Sequence, residues 1–375
     1  MERLKHVDRI DVVFDRYDPK SLKTHTRLAR GTGQKVLVTP ATRIPQQFSN
    51  KFLAVNDNKE ALFHLLANDL MQDTYDNKIV VCTQNEQVLA SSGNLSISDI
   101  APCTHEEADN RIMLHVKHAV ANSHTKVTIK TVDSDVVVIA LSWYRHISNI
   151  KELWIEFGTG KHRRYIPIHK LSEHLTPPIA EALPFFHAFT GCDTVSTFAG
   201  IGKRSAWNAW MKYHDVDETF IKLGNHQCSS LIQNKVSDEL QRFVCLMYDR
   251  TTTTSNVDDC RRILFTKKNQ AIQNIPPTLD ALIQHTKRAA LQAFIWNKCL
   301  ERAPVIPQST EFGWKSIQSG FEPVWTTLPD VSSHCEELVS CSCKKRCSIC
   351  KCVKQNLPCT QLCACEGHCS QKDLQ

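Results

Sequence analysis

The feature of this 375-residue chain that most constrains its fold is a nine-cysteine pattern near the carboxyl end. The first half of the pattern reads C-S-C-x3-C-x2-C-K-C, and the second half reads C-x3-C-A-C-x3-C. Thiolates one and three residues apart bind soft cations from adjacent positions, and Zn²⁺ takes four such ligands in a tetrahedron. The cysteines are Cys341, Cys343, Cys347, Cys350, Cys352, Cys359, Cys363, Cys365 and Cys369.

Metal binding and disulfide bonding are the two chemistries that fit so dense a pattern. Nine thiolates satisfy three four-coordinate zinc ions if three sulfurs each bridge two metals, because six terminal and three doubly used ligands make twelve. Disulfides require an oxidising compartment, whereas residues 1–13 are charged throughout and lack the apolar region of a secretory signal. Of the eight other cysteines, seven are scattered singly between residues 82 and 299, as in a reducing compartment. We therefore predict zinc and an intracellular location.

Composition and charge bound the remaining classes. A hydrophobic content of 42% predicts a globular protein, and the longest apolar run, residues 136–141, is too short to span a bilayer. The net charge of +6 permits nucleic-acid binding without requiring it. The F-G-T-G-K segment at residues 157–161 lacks the spacing of a phosphate-binding P-loop and predicts a hairpin turn. We expect neither a membrane nor a small-molecule cofactor as partner.

Hydrophobic periodicity predicts strands that alternate with helices, which is typical of an α/β fold with a mostly parallel, three-layer sheet. Thr104 and Glu107 predict a capping box at the start of the third helix. The predicted strands are residues 10–14, 78–83, 127–132, 136–141 and 153–157. One predicted helix begins at Pro19. The others cover residues 60–71, 104–120, 178–215 with a break at 190–202, and 278–300.

Carboxylates recur at the predicted strand ends and helix starts. The carboxyl ends of parallel strands share one edge of a sheet, so we expect these side chains to converge there. Crowded carboxylates repel one another unless a hard cation such as Mg²⁺ or Mn²⁺ neutralises them, and two such ions about 4 Å apart can hydrolyse a phosphodiester. Each acid taken alone also suits a helix cap or a turn. The set is Asp15, Glu107, Asp109, Asp133, Asp135 and Asp193.

In order along the chain, V-F-D, a basic helix, H-E-E-A-D, D-S-D, G-C-D and G-I-G resemble the flap endonuclease/XPG branch of the PIN-like nucleases over residues 11–206. The resemblance implies a metal-dependent, structure-selective DNA endonuclease in which the six acids coordinate Mg²⁺ or Mn²⁺. It also implies that Lys23 and Arg30 hold the scissile phosphate. Gly200, Gly202 and Lys203 match the turn with which that family grips duplex DNA.

The cysteine tail resembles a single CXC repeat of the tesmin/TSO1 type, which implies a three-zinc cluster and DNA contact through Lys344, Lys345 and Arg346. The family carries two repeats and a DNA-reading tyrosine where this chain has Ser340, so sequence-specific readout does not follow. The combination resembles transposon-derived animal proteins that join a PIN-like domain to a CXC tail. We expect a nuclear protein with a PIN-like domain at 1–300, a linker or packed arm at 301–334 and the zinc domain at 335–375.

One departure leaves alternatives open. PIN-like nucleases begin with a strand that carries a metal-binding aspartate, and this sequence has its first counterpart at the helix after that strand. The chain is therefore expected to be an endonuclease, or a catalytically inactive, domesticated or decayed DNA- or chromatin-binding protein. A third alternative is a zinc-stabilised protein-interaction module without nucleic acid. Oligomeric state is not predicted.

Overall fold

A computed structural model of the chain divides into two compact units, Met1–Trp325 and Thr326–Gln375. It describes residues 7–18, 20–23, 33–72, 78–226, 235–266, 271, 274–318, 320–328, 340–343, 351–354, 359 and 363–366.

The first sheet has three strands. Strand β1 (Arg9–Val12) pairs in parallel with β2 (Ile79–Gln84), and β2 pairs antiparallel with β3 (Gln87–Ala90). Helix α1 (Asn56–Gln72) lies between β1 and β2 in the chain and packs on β2. The apolar run of β2 is buried, as expected for a strand covered on both faces.

The second sheet repeats this arrangement. Helix α2 (Ala108–Ala121) precedes β4 (Lys126–Thr131), and α3 (Ser134–Trp143) leads to β5 (Glu152–Phe157). Strand β4 pairs in parallel with β5, which pairs antiparallel with β6 (Arg164–Pro167). The predicted hairpin turn after β5 is confirmed by this antiparallel pairing.

A helical layer follows the second sheet and supplies much of the core. Its longest helix, α10 (Leu279–Asn297), packs on α5 (Pro177–Phe189) and α7 (Asp217–Gly224), and Phe185, Phe220 and Trp210 are fully buried within the layer. Such aromatic side chains contribute the largest buried apolar areas. The helices are α4 (Ile168–His174), α5 (Pro177–Phe189), α6 (Lys203–Trp210), α7 (Asp217–Gly224), α8 (Asp238–Tyr248), α9 (Val257–Thr266) and α10 (Leu279–Asn297).

A hairpin of β7 (Trp314–Ile317) and β8 (Gly320–Pro323) completes the first unit. Arg288 of α10 donates to the carbonyls of Gly313 and Val324, which fixes the hairpin on the helical layer. The second unit contains α11 (Lys351–Lys354) among its described residues. None of the described helices combines the length and apolar character needed to cross a bilayer.

The structure confirms a mixed α/β fold, but not the predicted three-layer parallel sheet. The described strands form two small mixed sheets and a hairpin. Strands β1 and β4 are each the outer strand of their sheet, and no other described strand pairs with their second edge. One continuous sheet would need β1 and β4 to pair with each other or with a common strand, because backbone pairing is what joins neighbouring strands.

Two local predictions were wrong. Residues 136–141, predicted as a strand, lie inside α3, because Asp133 caps the helix by accepting from the Asp135 N–H at 2.9 Å. A short apolar run is compatible with a buried helix as well as a strand. The predicted capping box is also absent: α2 begins only at Ala108, whose N–H donates to the Asp15 carboxylate at 2.8 Å.

The basic helix predicted to begin at Pro19 falls mostly outside the described residues, which exclude Pro19 and residues 24–32. The described residues 20–23 lie in a turn rather than in a helix. That turn places Lys23 in the first unit, next to the amino end of α2.

Candidate functional site

Three of the predicted carboxylates converge at the amino ends of two helices. Asp109 lies in the first turn of α2, Asp133 is the residue that caps α3, and Asp135 lies in the first turn of α3. One oxygen from each lies within 4.8 Å of the other two. We call this group the acidic triad. Its position follows from β4, which ends at Thr131 and delivers Asp133 to the edge of the second sheet.

Protein contacts hold two members of the triad in place. Asp133 is fixed by its capping bond to the Asp135 N–H, and its own N–H donates to Thr131 Oγ1 at 3.0 Å. Asp135 Oδ1 lies 2.8 Å from Nε2 of His187, a buried residue of α5. Only the tertiary structure brings His187 to Asp135, because the two residues lie 52 positions apart in the chain. Such a hydrogen bond fixes the direction of the carboxylate.

The third member, Asp109, has a strongly raised pKa. Burial, followed by repulsion from Asp133 and Glu107, raises the pKa of Asp109 to about 8, and the attraction of Lys23 offsets only part of this. Burial likewise raises the pKa of Asp133. Within the described part of the chain, no donor forms a hydrogen bond with the Asp109 carboxylate. The triad therefore requires either a proton or a cation at neutral pH.

Lys23 supplies a positive charge beside the triad. Its Nζ lies 2.9 Å from Glu107 Oε1 and 3.2 Å from Asp193 Oδ2. Burial would lower the pKa of Lys23, but attraction by these two carboxylates raises it above its usual value. The ammonium therefore stays charged. Lys23 thus forms one ion-paired group with Glu107 and Asp193 beside the triad. Asp15 lies nearby and accepts a hydrogen bond from the N–H of Ala108, the first residue of α2.

The turn between α5 and α6 carries three further residues that were predicted to bind DNA, Gly200, Gly202 and Lys203. Gly200 has φ +73°, a conformation that favours glycine, and Gly202 caps α6. The Lys203 ammonium donates to the His187 carbonyl at 2.7 Å and to Thr190 Oγ1 at 3.1 Å. Burial lowers the pKa of Lys203 to about 8. The two hydrogen bonds use two of the three N–H donors of the Lys203 ammonium within the protein.

The second unit brings cysteines from both halves of the pattern together. One sulfur from each of Cys341, Cys359, Cys363 and Cys365 lies within 4.8 Å of the others. Cys352, which is fully buried, places its sulfur 3.7 Å from that of Cys363. The Ala364 N–H donates to the Cys341 carbonyl at 2.8 Å, which joins the two halves through the backbone. Four thiols in this arrangement can hold a metal ion.

Several predicted site residues lie outside the described residues. They are Arg30, Lys344, Lys345, Arg346, Cys347, Cys350 and Cys369.

Comparison with protein-family models, curated proteins and solved structures finds no significant match to this chain.

Proposed function

We propose that this chain is a divalent-metal-dependent, structure-selective DNA endonuclease whose PIN-like domain is followed by a zinc-binding CXC module. The observation that carries the proposal is the acidic triad, in which three carboxylates meet although the pKa of Asp109 is raised to about 8. A fold retains such repulsion at a cost to stability, and perturbed acids of this kind cluster at functional sites.

The donors of the triad suit a hard cation. Carboxylate oxygens are the ligands of Mg²⁺ and Mn²⁺, and a bound cation would favour the ionised form of Asp109. Asp109, Asp133 and Asp135 would hold it. When bound, such a cation supplies Lewis-acid stabilisation of charge at a phosphoryl oxygen and lowers the pKa of a bound water.

The other residues of the site act on geometry and charge. His187 orients Asp135 and so sets the direction of one ligand oxygen. Lys23, held by Glu107 and Asp193, keeps a positive charge next to the triad and can donate to a phosphate oxygen of the substrate. Lys203 braces the carbonyl of His187, which stabilises the end of α5.

The second unit supports a structural metal rather than a catalytic one. Four closely spaced thiolates would occupy all four coordination positions of a zinc ion and leave none open for a substrate. We propose a three-zinc CXC cluster, completed by the cysteines outside the described residues, that tethers the nuclease to DNA in the nucleus. Tethering raises the effective concentration of the catalytic domain near its substrate.

One observation favours DNA binding without catalysis as the second candidate function. Glu107 and Asp193 are both ion-paired with Lys23, so the described residues offer the acidic triad as one group of carboxylates close enough to hold a metal, whereas a two-metal site needs two such groups.

Cleavage of a labelled branched DNA in Mg²⁺ or Mn²⁺ separates the two functions. We expect the chain to cut this substrate and the double variant Asp133→Asn/Asp135→Asn to bind it without cutting. Binding without cutting by the unaltered chain would support the non-catalytic function. Equal cutting by the chain and the double variant would reject the triad as the active site.

A further inference from the structure

The turn between β5 and β6 presents a cluster of cations that the proposed site does not use. We call residues 158–165 the basic turn; its sequence is G-T-G-K-H-R-R-Y. Residues 161–165 are all exposed. Lys161 and Arg164 form no ion pair within the described ranges, whereas Arg163 pairs with Glu156 at 3.5 Å. The turn therefore carries positive charge that the protein leaves available to a ligand.

The basic turn lies at the same sheet edge as the acidic triad. Strands β4 and β5 are parallel neighbours with Thr131 opposite Phe157, and the Gly158 N–H donates to the Thr131 carbonyl at 3.0 Å. Thr131 also accepts the N–H of Asp133 through its side chain. The basic turn therefore begins at the strand end next to the one that leads to Asp133 of the triad, and neighbouring strands lie about 5 Å apart in a sheet.

The conformation of the turn is fixed before any ligand arrives. Gly158 has φ +85°, and a Cβ there would lie 2.9 Å from the His162 carbonyl oxygen, so the turn closes only with glycine. The Arg164 guanidinium lies 5.1 Å from the Phe157 ring centroid, and that of Arg163 lies 5.9 Å from the Tyr165 ring. These contacts order cations that would otherwise lose conformational entropy on binding.

An exposed aromatic ring distinguishes this surface from a plain phosphate site. Tyr165 is 54% exposed, and its hydroxyl donates to Glu156 Oε2 at 3.3 Å. An anchored, open ring beside cations is the combination with which proteins bind single strands, because bases stack on the ring while the phosphates contact the cations. A base-paired duplex would keep its bases stacked inside and could use only the charges.

We infer that the basic turn binds a single-stranded segment of DNA next to the acidic triad, through Lys161 and Arg164 on the phosphates and Tyr165 on a base. This inference rests on the proposed nuclease function and adds to it the surface that would hold the unpaired strand of a branched substrate. It makes the basic turn a determinant of which DNA structures are cut.

The test is oligonucleotide binding by the full, zinc-loaded chain without added Mg²⁺ or Mn²⁺, measured by fluorescence anisotropy at several salt concentrations. Lys161→Glu/Arg164→Glu is compared with Lys117→Glu/Lys170→Glu, which changes the charge equally at exposed positions outside the turn. We expect the first variant to bind single strands at least ~10-fold more weakly, with a salt slope smaller by about 1.4 for two lost contacts. Tyr165→Ala should weaken single-strand binding by roughly 5-fold or more.

Equal losses in the charge variant and its control would overturn the inference, as would loss of duplex binding with single-strand binding unchanged. Mn²⁺ affinity of the basic-turn variants, measured by calorimetry, separates this result from the proposed function. Intact Mn²⁺ affinity with unchanged DNA affinity would reject only the turn. A chain that binds no DNA at all would reject both the turn and the nuclease.

Discussion

Replacement of Asp109 by asparagine is the most direct test of the acidic triad, because its effect on stability has a calculable pH dependence. The pKa of Asp109 is about 8 in the folded chain and 3.8 in the unfolded reference. Between these values the folded state holds a proton that the unfolded state has released. The free energy of unfolding therefore falls as pH rises, by about 1.4 kcal/mol per pH unit for this group. Asparagine does not ionise and escapes this loss.

From pH 5 to pH 8 the stability advantage of Asp109→Asn over the unaltered chain should therefore grow by about 4 kcal/mol. The assay is urea unfolding of the zinc-loaded chain at both pH values without added Mg²⁺ or Mn²⁺, followed by tryptophan fluorescence. Asp69→Asn, an exposed position on α1, serves as the matched control and should show no such growth.

Addition of Mn²⁺ should reverse the order of stability, since a cation bound to the folded state stabilises it by mass action. We expect the unaltered chain to gain stability in Mn²⁺ at pH 8 and Asp109→Asn to gain little. A stability difference that is independent of pH without added Mn²⁺ would refute the reasoning about the triad.

Three further predictions concern neighbouring residues. His187→Leu should weaken Mn²⁺ binding by roughly 10- to 100-fold, and His187→Gln should weaken it less because glutamine keeps a hydrogen-bond donor for Asp135. Equal losses of Mn²⁺ affinity in calorimetry would contradict an orienting role for His187. Lys23→Met should bind Mn²⁺ more tightly, because Glu107 and Asp193 lose their counter-ion, and it should cut DNA more slowly. Unchanged Mn²⁺ affinity would argue against Lys23 as that counter-ion. Cys363→Ser should lower the zinc content measured by atomic absorption and leave the urea unfolding of the first unit unchanged, since metal binding and folding are coupled within the tail; destabilisation of the first unit would contradict this.

Local sequence patterns predicted many elements because they report on burial and period. The apolar β-branched runs predicted β2, β4 and β5, and the helical pattern that begins at Thr278 predicted α10. The same reasoning failed at residues 136–141, where apolar residues fill a helix buried on several sides and give no helical period. A short apolar run reports burial, and the capping contact of Asp133 decides the conformation.

The sequence by itself determined the chemistry that is available: thiols spaced for a soft metal, and carboxylates at the ends of strands and the starts of helices. Tertiary structure decided which of these atoms meet. Lys23 reaches Asp193 across 170 residues, and His187 reaches Asp135 across 52. Such contacts, and the burial that raises the pKa of Asp109, depend on how distant segments pack. Local residue patterns carry the identity and period of side chains, whereas distances between remote groups arise only when the chain is folded.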